Sequence, residues 1–316
     1  MHPLSGIGPS NRGRSAGLCL ALAAVLGASA AAARTSLQTP VLELERLQLN
    51  PGATDSLVVG AGGLLPRCGL RTALVAHYER DPLVLSLESQ RLGHIVHARA
   101  TAHLAVGYGV SDWLELGLEV PYIVRQQGDA ADITEFQPPV SRALGSPRVQ
   151  GRLGLLRERD GAAMDLAVSL GASLPLGSPE ALTRQGSRGL ALHGRVGLGR
   201  SLGFLHLGAE VGLSAREPVE LSPTAVGGPV VFGNLLEGGV ALSTRGEGLR
   251  GEVSLRGALP LTNAPAAAEL LAGVRLPLFG KTFELFALGG PGFGRLPGTP
   301  TFRLLSGLAW TPGHDR

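Results

Sequence analysis

Trp113-Leu-Glu-Leu-Gly-Leu-Glu-Val120 places Leu114, Leu116, Leu118 and Val120 on one face and Glu115, Gly117 and Glu119 on the other. A period of two is that of a β-strand, whose successive side chains point to opposite sides of the sheet. One face of leucine and one of glutamate suits a wall between an apolar medium and a polar one. Between Leu70 and Trp310 the same unit, about ten residues of alternation bounded by turns, recurs roughly a dozen times.

The connections decide what kind of sheet this is. Short turns are expected at Val110-Ser111-Asp112, Arg159-Asp160-Gly161, Ser201-Leu202-Gly203, Gly246-Glu247-Gly248 and Phe279-Gly280-Lys281. Longer, Pro-rich connections lie between them, at Asp81 to Gly93, Gln126 to Ser146, Gly177 to Gly186, Ala215 to Gly228, Thr262 to Pro265 and Pro291 to Thr299. A soluble sandwich has similar connections at both ends. Alternating short and long connections instead predict an all-β fold, a transmembrane antiparallel up-and-down β-barrel of about 12 strands, with tight periplasmic turns and extended outer loops.

Composition agrees. The chain is 44% hydrophobic and only 17% charged, yet no segment after the leader approaches the roughly 18 consecutive apolar residues of a spanning helix. Many of the 47 glycines fall on inward positions, where they let strands curl and backbones approach closely. Prolines 121, 175, 260 and 277 sit near expected strand ends, where a missing N–H does least harm.

Residues 1–33 read as a secretory signal peptide, with Arg12 and Arg14 basic, Ala16 to Leu26 apolar, and a small-residue cleavage site following. Leu18 before Cys19 argues against a lipoprotein site, and the loss of Cys19 leaves Cys68 with no partner for an internal disulfide. Taking away Arg12 and Arg14 reduces 28 basic residues to 26, against 25 acidic ones, which gives no case for nucleic acid. Residues 34–67 form an N-terminal segment, with the amphipathic run Val41-Leu-Glu-Leu-Glu-Arg-Leu47, that fits a periplasmic lid, an extra strand or a plug. Residues 68–316 are the expected barrel.

Alternation assigns the lumen strand by strand. It takes His97, Arg99, Thr101 and His103, then Glu115 and Glu119, then Arg148, Gln150 and Arg152, then Asp165 and Ser169. His193, Arg195, His206, Glu210, Glu237, Arg250, Glu252, Arg256, Glu269, Arg275 and Arg303 complete the set. Acids and bases nearly balance, so the set reads either as an ion-pair network that stiffens the barrel or as the lining of a narrow pore. Outward positions are apolar, for example Leu104, Val106 and Tyr108, or Leu166, Val168 and Leu170. Tyr108 and Trp310, beside the short turns, and Tyr122, at the opposite strand ends, are expected at the lipid interface.

Catalytic and metal signals are weak. There is no phosphate loop or Cys-His metal spacing, and the Gly-x-Ser-x-Gly pattern occurs only at Gly13–Gly17, in the leader, and at Gly199–Gly203, on an expected short turn between strands and not on a strand-to-helix elbow. His97 and His103 are six residues apart, about 20 Å along a strand, too far to share an ion. No enzyme activity, catalytic residue, cofactor or metal is expected.

The runs Leu44-Glu-Arg-Leu-Gln-Leu-Asn-Pro-Gly52, Leu57-Val-Val-Gly60 and Tyr78-Glu-Arg-Asp-Pro-Leu-Val-Leu85, with Trp113 to Tyr122, resemble the N-terminal barrel of outer-membrane protein A (OmpA)-like proteins, especially the myxobacterial kind. In that family the barrel is usually joined to a peptidoglycan-binding domain, which is not found here, so the resemblance implies a structural role in the outer membrane of a Gram-negative cell without wall anchoring. The alternative is a narrow porin-like channel for small polar solutes. Outer-membrane lipid is the expected environment, and the ending Phe302-Arg-Leu-Leu-Ser-Gly-Leu-Ala-Trp310 loosely resembles the last strand read by the barrel-assembly machinery.

Overall fold

The computed structural model describes residues 41–87, 90–128, 139–221, 230–279 and 282–312. The expected leader, residues 34–40, parts of four connections and residues 313–316 lie outside them. The strands are β1 (Leu70–Leu87), β2 (Gln90–Ser111), β3 (Leu114–Gln127), β4 (Ala143–Leu144), β5 (Arg148–Leu156), β6 (Asp165–Ser173), β7 (Ala191–Leu202), β8 (Leu205–Arg216), β9 (Val219–Leu221), β10 (Val230–Phe232), β11 (Leu235–Thr244), β12 (Arg250–Pro260), β13 (Ala267–Leu278), β14 (Phe283–Gly294) and β15 (Phe302–Trp310).

Each long strand pairs antiparallel with its neighbours in sequence, and β1 pairs with both β2 and β15, so the sheet closes. β4 is a two-residue appendage on β3, and β9 and β10 form a separate small hairpin. Twelve strands make the closed wall. Closure leaves no exposed edge, as a sheet in hydrocarbon requires, because unpaired N–H and C=O groups find no water there. From β5 onward the wall strands run 9 to 12 residues, enough for tilted strands to cross an apolar band about 25 Å tall.

The outer face is leucine and valine. Leu74, Leu104, Leu116, Leu170, Val211, Leu255 and Leu304 are exposed, as are Tyr108, Tyr122 and Trp310. The short turns lie together at one end. Gly203, with φ of 63°, closes the β7–β8 turn, and Gly161, with φ of 91°, ends the short helical turn Glu158–Asp160 between β5 and β6. Both need a left-handed backbone that residues with a Cβ rarely adopt.

Two local expectations change. Asp81 to Gly93 is largely strand: β1 and β2 run beyond the other strands, with pairing irregular between Arg80 and Leu83, where Asp81 takes a φ of 54°. Pro121 sits inside β3, at the point where β3 stops pairing with β5 after Glu119. Pro260 is the last residue of β12.

Candidate functional site: the filled lumen

Residues 41–67 run through the barrel. They enter at the long-loop end, where the Leu44 amide donates to Leu182 O and the Gly186 amide to Val41 O. They leave at the turn end, where the Cys68 amide donates to Gly109 O. Apart from one bridge between Glu43 and Thr183 they form no strand or helix. Irregular backbone at membrane depth must find hydrogen-bond partners in the protein, and the wall supplies them from charged side chains.

Wall acids take the amides of this lumenal segment. Glu119 accepts from Leu49 N at 3.3 Å, Glu252 from Leu57 N at 3.0 Å and from Ser56 Oγ at 2.6 Å, Glu210 from Gly60 N at 2.8 Å, and Glu115 from Leu65 N at 2.8 Å. Wall arginines take its carbonyls. Arg148 donates to Leu47 O at 2.7 Å and Glu45 O at 3.0 Å, Arg152 to Gly63 O at 2.9 Å, and Arg275 to Ala53 O at 2.7 Å. The same groups pair with one another: Arg152 with Glu115 at 3.0 Å, Arg275 with Glu252 at 3.4 Å, and Arg195 with Glu237 at 3.2 Å. The lumenal charges therefore serve two ends at once, neutralising each other and standing in for water along a threaded chain. Removing one partner of such a buried pair strands the other, a loss of about 3–5 kcal/mol.

Small residues make room. A Cβ on Gly109 would lie 2.1 Å from Pro66 O, on Gly197 2.0 Å from Gly60 O, and on Gly199 1.9 Å from Ala61 O. The backbone that these inward glycines admit is the segment's own. On the other side of the bore, Val75, Leu271, Phe286, Leu288 and Leu305 pack against Leu47, Leu57, Val58 and Val59. A second cluster, of Leu42 and Leu44 with Leu83, Val96, Leu182, Phe232 and Leu296, closes the loop end.

Space remains beside the segment. A cavity of 50 Å³ is lined by Arg46, Arg195, Glu210, Glu237, Arg256, Glu269 and Arg303, and two smaller ones flank Gln48 and Leu49. These hold a handful of waters at most. The turn end is wider, with cavities of 520 Å³ bordered by Asp55, Glu158, Asp165 and His206 and of 260 Å³ bordered by Asp55, Ser243 and Arg250. At that mouth partial burial pushes the Glu158 carboxyl up, but hydrogen bonds from Ser201 hold it below the usual carboxylate range.

The inward residues named from alternation fall as follows. Arg99, Thr101, His103, Glu115, Glu119, Arg148, Arg152, His206, Glu252, Glu269, Arg275 and Arg303 are buried. Gln150, Asp165, Ser169, His193, Arg195, Glu210, Glu237, Arg250 and Arg256 are half-buried. His97 departs from the set: it is exposed, and Val96 is buried instead. Val96 pairs with Leu83 beside the β1–β2 irregularity, which shifts the alternation there. His193 lies 2.9 Å from both Ser173 Oγ and Ser214 Oγ, and His206 Nε2 3.6 Å from Asp55, so those two histidines have separate surroundings.

Several lumenal groups were missed. Arg71, His77 and Glu79 share the inner face of β1, where alternation would have found them. Glu284 on β14 pairs with Arg71 and Arg275, each at 3.0 Å, but its neighbours Phe286 and Leu288 are apolar on the inside too, which hides the face. Glu43 and Glu45 lie on the lumenal segment, where alternation gives no direction.

No protein-family model matches the sequence, and no curated protein does. The fold is similar to the crystal structure of an outer-membrane channel from Pseudomonas putida F1, with a TM-score of 0.59 at 11% identity over 80% of this chain and 98% of that one. Weaker likenesses include the β domain of the Bordetella autotransporter BrkA (TM-score 0.42, 14% identity, 77% and 99% covered) and Salmonella typhi OmpF (TM-score 0.36, 9% identity, 77% and 97% covered). The chain is an outer-membrane-type closed antiparallel β-barrel. The expected tie to OmpA-like proteins reduces to that broader statement.

Proposed function

We propose that this barrel is an outer-membrane channel for small polar solutes, narrowed and held shut by residues 41–67 of its own chain. The observation that carries the reading is the construction of the bore. Inward glycines leave a passage in the wall, and what fills it is a separate segment gripped by charged side chains. A barrel built only as a scaffold can fill its interior with wall side chains alone. A gripped segment, in contrast, can exchange each wall carboxylate or guanidinium for water as it moves. Similarity to a structure described as an outer-membrane channel supports the same reading. On this proposal the leader at residues 1–33 directs export, and the barrel-assembly machinery inserts the barrel.

A structural role is the second reading. It is favoured by the apolar contact of Leu57, Val58 and Val59 with Phe286 and Leu305, which resists water. Planar-bilayer recording separates the two. The channel reading expects small discrete steps from the full chain and several-fold larger ones from an Arg148→Ala, Arg152→Ala double variant, in which the segment loses its carbonyl partners. Silence from both proteins, each shown to be folded, overturns the channel and leaves the scaffold.

A further inference from the structure

Glu45, His77 and His103 come from three parts of the chain, the lumenal segment, β1 and β2, and meet fully buried. Glu45 Oε2 is 3.2 Å from His77 Nε2 and 3.7 Å from His103 Nε2. One ligand atom from each of the three falls within 4.8 Å of the other two. Tetrahedral zinc with bonds of about 2.0–2.1 Å holds its ligands about 3.3–3.4 Å apart, so two edges of the triangle already have nearly the spacing of a coordination site.

Hydrogen bonding leaves one group of the three unexplained. His103 Nδ1 lies 2.7 Å from Glu119 Oε1, and because a carboxylate accepts, that contact holds the ring with Nε2 facing Glu45. A carboxylate behind the ring is how proteins orient a metal-bound histidine. His103 Nε2 itself is buried and makes no hydrogen bond. The Glu45–His77 contact accounts for those two residues but not for this nitrogen.

We propose that Glu45, His77 and His103 bind a divalent transition-metal ion of the zinc class, which clasps the lumenal segment to β1 and β2. Two imidazole nitrogens and one carboxylate oxygen favour zinc, cobalt or nickel over magnesium or calcium, which take oxygen ligands, and a water completes the tetrahedron. Arg303 Nη1 donates to His77 Nδ1 at 2.9 Å, so without metal His77 carries its proton on Nε2. Loading moves that proton to Nδ1 and costs Arg303 this one contact, while its Nε and Nη2 keep Glu269 at 2.6 Å and Glu79 at 2.8 Å. Arg99 and Arg303 each approach the Glu45 carboxylate to 3.8 Å, and their charge weakens the site relative to one without arginines. The clasp requires only the segment and the wall, and holds whether or not the barrel conducts.

The test uses the full chain, folded in detergent, free of histidine tags and stripped with a chelator. Zinc is added under calorimetry and cobalt under visible spectroscopy. One ion per chain is expected, bound at least ten-fold more weakly by Glu45→Gln and by His103→Ala. His97→Ala, which removes an exposed imidazole 6.4 Å from that of His94, leaves binding unchanged. Folding of each variant is read from heat-dependent gel mobility. Should both site variants misfold, hydrogen exchange on the unmodified chain decides, with zinc slowing exchange at residues 42–50. No bound ion, binding that survives Glu45→Gln and His103→Ala, binding lost with His97→Ala, or exchange unmoved by zinc would each overturn the clasp.

Discussion

Leu114-Glu-Leu-Gly-Leu-Glu-Val120 and Leu42-Glu-Leu-Glu-Arg-Leu47 read almost alike, yet they end in opposite surroundings. The first is β3, with Glu115 and Glu119 buried in the lumen and Leu116 and Leu118 exposed on the outside. The second runs down the lumen with Leu42, Glu43, Leu44, Glu45 and Leu47 all buried, and only Arg46 partly exposed. Alternation specifies an extended chain with two unlike faces, but it does not say what those faces meet. For β3 the answer comes from the β2 and β5 ladders, which orient it between lipid and lumen. The segment lacks ladders, so both of its faces meet protein, one the charged sector of the wall and the other the apolar sector.

The sharpest way to break this contrast is to close the bore. Gly199→Leu places side-chain atoms where Ala61 O lies and is expected to expel the segment while the ladder stays closed. Limited proteolysis should then cut within residues 50–66 while the folded barrel keeps its gel mobility. Protection of that stretch equal to the unmodified chain would show that the fit is looser than the contact implies.

Next in size is the charged grip. Arg148→Ala removes donors to Leu47 O and Glu45 O and takes the guanidinium away from the buried carboxylates of Glu119 and Glu43, which lie 3.7 and 3.5 Å from it. A loss of about 3–5 kcal/mol is expected from a broken buried pair. It should appear in hydrogen exchange at residues 44–50 before it appears in the wall strands. Equal loosening of segment and wall would erase the distinction drawn here.

A change to the outer skin works the other way. Leu170, 70% exposed on β6, faces outward, and Leu170→Arg should cost about 2–4 kcal/mol if it sits near the bilayer midplane. Denaturant titration of the barrel folded into lipid vesicles measures this, with the lumenal segment unaffected. Smallest of all, Cys68→Ser at the exposed end of the segment should stay within about 0.5 kcal/mol of the unmodified chain by the same titration.

Much of the wall was legible because a closed sheet between two media repeats one physical demand twelve times. Alternation named Glu115, Arg152, Glu252 and Arg275 on one face, and these are the side chains that hold the lumenal segment. It failed at His97, where the irregularity near Asp81 shifts the faces, and at Glu284, whose neighbours are apolar on both sides. Along its own strand His103 has His97 six residues away, whereas across the ladder Val75 is opposite His103 and His77 is two residues further on, a proximity that spacing within one strand does not report.

From the sequence alone came the barrel, its approximate strand number, the sidedness of its turns and most of its inward charges, because period and punctuation are local properties of a chain. Only the tertiary structure decided that the lumen is filled, that wall glycines admit the backbone of residues 60–66, and that Glu45 meets His77 and His103. Those facts depend on which residues a closed cylinder brings across its own diameter, a distance over which no pattern of neighbours along the chain reports.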